Sequence, residues 1–191
     1  MVDVGQQKQI RVNWKFFSLK IINKDREVPE DYKILHGIGL NALRVAAAVR
    51  REFGNDGVSK IYTAMGTIYH HDEGEIDEPS ALEKILQSCG LPAGLAAAAE
   101  DEALDKDIQA DMDLAIAKAG TDVGVPQIVL DGGQGPGFFG PVMSPAPTGE
   151  DAVKFWDAII AAGSVTGFFE LKRTREVDPI FGERPMVHEA F

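Results

Sequence analysis

Apolar and polar residues alternate strictly near the start of the chain. In "QIRVNWKFF", Ile10, Val12, Trp14 and Phe16 are interleaved with Arg11, Asn13 and Lys15. A period of two is that of a strand with one buried face, and it predicts a strand over about 9–19. The polar connector "NKDREVPED" follows, and the period then lengthens. Ala42, Val45, Ala46, Val49 and Phe53 repeat at helical spacing, as do Val58, Ile61, Tyr62, Met65 and Tyr69, with "GNDG" between the two sets. Two amphipathic helices separated by a break are expected there. Ser80 and Glu83 have the spacing of a capping box and announce a third helix, with Leu82, Ile85, Leu86 and Cys89 on its stripe and a stop at Gly90 before Pro92.

Strong helix formers fill 92–119. Leu104, Ile108, Met112 and Ala115 lie on one line, with a stop at Gly120, which predicts one or two further helices. "PQIVLDG" then returns to strand, "GFFGPVMS" supplies a second strand after a glycine-rich turn, and Thr148 opens a helix carrying Val153, Trp156, Ile159 and Ile160. After Gly163 the tail, with "GFFELKRTR", is short and mixed. The order is strand, helical block, strand, strand, helix: an α/β frame with a helical insertion over 26–120.

Composition narrows the function classes. The 191 residues carry a net charge of −11, from 30 acidic and 19 basic residues, so the basic footprint of a nucleic-acid or anionic-membrane binder is missing. Small molecules or proteins are the expected partners. Neither a secretory signal nor an apolar run of membrane-spanning length is present in the sequence, and a cytoplasmic protein is expected. A single cysteine, Cys89, excludes an intramolecular disulfide and any CxxC motif within these residues.

Candidate chemistry is sparse. "GGQGPG" lacks the lysine of a phosphate loop and leads into a strand, so it reads as a hairpin turn. In "YHHDEGEIDE", His70 and His71 are adjacent and point apart on a helix, so the run reads as a solvated helix end and no metal site is expected. His36 and His188 stand alone. Cys89 near a helix C-terminus meets a dipole that disfavours thiolate and reads as a packed residue. Pro126 admits two readings: the first residue of a strand after an ordinary trans bond, or a cis Val125–Pro126 bond beside a cleft, with the Val125 main-chain groups free to pair with an extended ligand.

Taken together, "RVNWKFFSLKIIN", "GTDVGVPQIVLDG", "GFFGPVMSPAPTGEDAVKFWD" and "GFFELKRTR" resemble the DsbA-like thioredoxin-fold proteins, and among them the mycothiol-dependent nitroreductase group. The resemblance spans nearly the whole chain. It implies a thioredoxin-like (DsbA-type) α/β fold: residues 1–25 the end of the first helix and the second strand, 26–120 a helical insertion, and 121–191 the cis-proline strand, hairpin and closing helix. The first β-strand and the active-site helix with its CxxC motif are missing from this pattern.

The resemblance makes Pro126 the cis-proline, with Val125 where many members of the group have threonine, and it makes Met112 stand where histidine is common. It assigns thiol or substrate contacts to Val125, Pro126, Asn23 and Tyr32. For the last two, a turn asparagine and a packed tyrosine are equal alternatives. The implied activity is that of a mycothiol-dependent thiol-disulfide oxidoreductase or nitroreductase, with mycothiol or a similar low-molecular-weight thiol as co-substrate. Without CxxC the chain as written is expected to be inactive. The alternatives are a non-catalytic homologue that binds a thiol or a protein as a homodimer, and a relative of the thiol-dependent isomerases.

Overall fold

A computed structural model describes residues 1–185, so His188 lies outside the described residues. The described chain forms two compact units, one of residues 14–117 and one of residues 1–13 with 118–184. It is mostly helical, with one two-stranded sheet. None of the helices among the described residues is long and apolar enough to cross a membrane.

The expected strand over 9–19, whose residues from Trp14 onward belong to the first unit, is not formed. Residues 10–18 have no ladder partner, and helix α2 (Leu19–Ile22) begins directly after them. Burial still alternates along the stretch, with Phe16 and Ser18 buried and Arg11, Asn13 and Lys15 exposed. The reason is visible in the hydrogen bonds. Trp14 N–H donates to Asn55 Oδ1 at 2.8 Å, Phe16 N–H to Asp111 Oδ2 at 3.0 Å and Ser18 N–H to Met112 Sδ at 3.4 Å. Alternate main-chain donors, which in a sheet would point to a neighbouring strand, here point to helix side chains. Ser18 then caps α2, its Oγ accepting from Ile21 N–H at 3.3 Å.

Helix α3 spans Glu30–His70 and is interrupted at Gly54, whose φ of 65° and ψ of −156° are non-helical. The expected break between two helices is therefore a kink within one long element, placed where only glycine is at ease. Its buried stripe includes Val45, Val49, Val58 and Ile61, but Phe53, Tyr62 and Tyr69 are exposed. Tyr62 leans on Trp14 instead, with ring centroids 5.0 Å apart.

Helix α4 (Pro79–Ser88) has Glu78 at its N-cap and Pro79 in its first turn, and no side-chain cap bond forms, so the Ser80 capping box is not realised. A proline at the first helical position fixes the start two residues earlier and puts Ser80 inside the helix. Its C-terminus follows expectation: Gly90 has φ 70°, Leu91 N–H donates to Leu86 O at 2.9 Å and Gly90 N–H to Gln87 O at 3.0 Å, a Schellman closure. The alanine-rich 93–100 segment is a 3₁₀ helix packed on α3 and α4, and helix α5 (Asp105–Ala119) follows, its last two residues belonging to the other unit. Leu82, Leu86, Leu104, Ile108 and Met112 join Val45, Val49 and Ile61 in one apolar core.

In the second unit, helix α1 (Val2–Lys8) packs on helix α6 (Gly149–Gly163), with Lys8 Nζ 2.8 Å from Asp157 Oδ2. Between them in sequence lies an antiparallel hairpin of β1 (Gln127–Val129) and β2 (Gly137–Phe139), registered Gln127 to Phe139, Ile128 to Phe138 and Val129 to Gly137. The glycine-rich stretch is its turn: Gly133 and Gly135 N–H both donate to Leu130 O, and Lys118 Nζ donates to Gln134 O at 3.0 Å. Gly137 is required by space, because a Cβ there would lie 2.6 Å from Lys118 Cβ.

Candidate functional site

The loop that leads into β1 is held from both sides. Gln127 Nε2 donates to Gly124 O at 3.0 Å across the turn, and Gly140 N–H donates to Pro126 O at 2.8 Å, which ties the proline to the end of β2. The peptide bond between Val125 and Pro126 is cis. Both residues are exposed, Val125 to 43%. Among the described residues nothing pairs with the Val125 main-chain N–H or C=O, while Gln127 Oε1 is buried without a hydrogen-bond partner. The loop thus leaves one main-chain donor and one acceptor unpaired at an exposed residue.

Two further cis bonds, Gly140–Pro141 and Ser144–Pro145, follow β2. Ser144 Oγ donates to Asp178 O at 3.0 Å and accepts from Ile180 N–H at 2.7 Å, clasping the tail to this loop. Sequence reasoning did not find this clasp. Its only signal was the Ser-Pro dipeptide, a general turn marker.

The other residues singled out from sequence lie in the helical unit. Asn23 follows α2 in a turn, its Oδ1 accepting from Arg26 Nη1 at 3.5 Å and its carbonyl from Arg26 N–H at 3.0 Å. Tyr32, in the first turn of α3, is 57% exposed, not packed, and meets His36 edge-on at 6.1 Å between ring centroids. Met112 is buried in the core. Val125 and Pro126 are therefore neighbours in one unit, and Asn23 and Tyr32 belong to the other.

Cys89 caps the C-terminus of α4, half-buried, with Sγ 3.7 Å from Lys60 O. Burial pushes its thiol above the ordinary value, against smaller lowering effects of Ser88 and Lys60. His70 is shifted the other way, toward the neutral form, first by burial and then by the neighbouring His71. Among the described residues no three His, Cys, Asp or Glu side chains converge in a metal-binding arrangement.

Thiol-disulfide exchange needs a stabilised thiolate. Cys89 is the one cysteine of the sequence, and its setting favours the protonated thiol. Cys89, half-buried at the C-terminus of α4, therefore does not fit the nucleophile of such an exchange.

The chain is 30% identical over 174 residues to the uncharacterized protein Rv2286c of Mycobacterium tuberculosis (strain ATCC 25618 / H37Rv), an alignment covering 91% of this chain and 73% of that protein. The family model described as Rv2466c-like, mycothiol-dependent nitroreductase Rv2466c, matches residues 1–173. With nearly its full length matched, the chain belongs to the Rv2466c-like family.

Proposed function

We propose that this chain is a thiol-binding member of its family with a thioredoxin-like second unit, and that Val125 and Pro126 contact a low-molecular-weight thiol such as mycothiol. The observation that carries the reading is the exposed Val125, whose main-chain donor and acceptor have no partner among the described residues. An extended amide-bearing ligand pairs naturally with such groups. The hairpin after Pro126 and the closing helix α6 are in keeping with the thioredoxin-like arrangement. Asn23 and Tyr32 are proposed as thiol contacts of the helical unit, each in its own right. Cys89 is not the nucleophile, so these residues bind a thiol but do not themselves turn over a disulfide. A lone cysteine suits a reducing compartment, and the cytoplasm is the proposed location.

Calorimetric titration with mycothiol and with its disulfide tests this reading. Val125→Pro deletes the donor and weakens binding at least about tenfold, whereas Val125→Ala keeps the main chain and binds within about threefold of the parent. Circular dichroism checks that both variants fold. A parent chain that binds neither form, or a Val125→Pro variant that binds as the parent does, overturns the reading.

A further inference from the structure

Beyond α6 and its closing turn, residues 169–176 form an open stretch of main chain. Phe168 rests against Phe138, with ring centroids 6.2 Å apart, and its N–H closes a turn on Val165 O at 3.1 Å. From there residues 168–176 run without helix, turn or bend. Phe169 is 88% exposed and Leu171 90%. Among the described residues no hydrogen bond or ion pair engages 169–176. Two large apolar side chains at a spacing of two, joined by free N–H and C=O groups, have the character of a strand that has not found its sheet.

The sequence of this stretch, "FELKR" over 169–173, is complementary to itself. When two copies are laid antiparallel about a two-fold axis through Leu171, Leu171 faces Leu171, Glu170 faces Lys172 and Phe169 faces Arg173. The axis exchanges the copies, so the last two pairings each occur twice. Alternation puts Phe169, Leu171 and Arg173 on one face, an apolar centre with a guanidinium beside each phenyl ring, and puts the Glu170–Lys172 ion pairs on the other.

Neighbouring registers are worse. An axis through Glu170 opposes two glutamates, and an axis through Lys172 opposes two lysines, both destabilising arrangements. A two-fold axis between residues is ruled out, because it would oppose residues i and i+1, whose side chains alternate onto opposite faces. Charge and apolar pattern select a single register.

We infer that residues 169–173 of two copies of this chain pair as an antiparallel ribbon, making the protein a homodimer through this segment. The inference goes beyond thiol binding and does not depend on it.

Sedimentation velocity at low salt, from about 5 to about 500 μM, reads the association by mass action. The parent chain dimerises. Glu170→Lys and Lys172→Glu each place like charges opposite one another and weaken self-association at least about tenfold. Mixed in equal amounts, the two single variants associate with each other at parental strength, and the double variant E170K/K172E dimerises again. The altered side chains are exposed, and circular dichroism confirms that the variants fold. A parent chain that stays monomeric throughout, single variants that dimerise as the parent does, or a mixture that remains monomeric overturns the inference.

Discussion

Arg44 holds Asp105 with both arms of its guanidinium, Nε to Oδ1 at 2.7 Å and Nη2 to Oδ2 at 2.8 Å, and spends its remaining nitrogen on Ala99 O at 3.3 Å. One buried side chain on α3 thereby fixes both the start of α5 and the end of the alanine-rich 3₁₀ segment.

Replacing Arg44 by lysine keeps the charge but loses the fork, because an ammonium cannot meet two carboxylate oxygens and a carbonyl in that planar arrangement. Arg44→Lys is expected to lose about 2 kcal/mol of stability and Arg44→Met about 3 kcal/mol. Urea unfolding followed by circular dichroism measures both. Equal stability of Arg44→Lys and the parent would show that charge alone suffices.

Glycines in α3 should respond in opposite ways to alanine. Gly54 has open space around its Cβ position but φ of 65°, so Gly54→Ala costs about 1–3 kcal/mol through the main chain alone. Gly66 also has open space and has no left-handed φ, so Gly66→Ala stabilises the helix by about 0.5–1 kcal/mol. Thermal melts of the two variants should shift to opposite sides of the parent. A shared direction contradicts the kink at Gly54.

The hairpin offers a steric test. A methyl group at Gly137 would stand 2.6 Å from Lys118 Cβ and 3.2 Å from the Lys118 carbonyl carbon, with backbone on one side that cannot swing away. Gly137→Ala is expected to cost about 1–3 kcal/mol by overpacking, whereas Gly132→Asn, at φ 61° with nothing within 4 Å, is expected to be close to neutral. Hydrogen exchange of the β1 and β2 amides distinguishes the two outcomes.

Cys89 should be slow toward thiol reagents at neutral pH. Burial raises its pKa, so less thiolate is present than in a free cysteine, and the alkylation rate should still be climbing with pH where an ordinary thiol has levelled off. The sign for stability follows. The folded state holds the proton more tightly than the unfolded chain, so this contribution is complete below the unfolded thiol's pKa and is lost as pH rises through the folded value. A stopped-flow rate profile against pH checks the first point, and a plateau at or below the ordinary thiol range would contradict it.

Helices were the readable part of the sequence. The stripes through Val45 and Val49 and through Leu104, Ile108 and Met112 are buried as the spacing demands, and Gly54, Gly90 and Gly120 mark breaks or ends where a left-handed φ is needed. Period two at 9–19 appears as alternating burial but not as the expected strand, because the pattern does not report pairing. A ladder depends on a neighbour that no local pattern specifies.

Aromatic residues misled in another way. Phe53, Tyr62 and Tyr69 sit at helical spacing but face outward, because periodicity gives a direction and not the width of the buried stripe. At the candidate site, turn chemistry pointed to Pro126, but the pairing state of Val125 depends on contacts across the hairpin that only the fold reveals. Asn23 and Tyr32 carried no signal of their own beyond family likeness.

The fastening of residues 14–18 makes that stretch unusually hostage to mutation. The main-chain bonds of a sheet ladder end on groups that nearly every residue carries, whereas here each tether ends on one specific atom of Asn55, Asp111 or Met112. A single codon change can therefore untie one main-chain anchor and leave the other two in place.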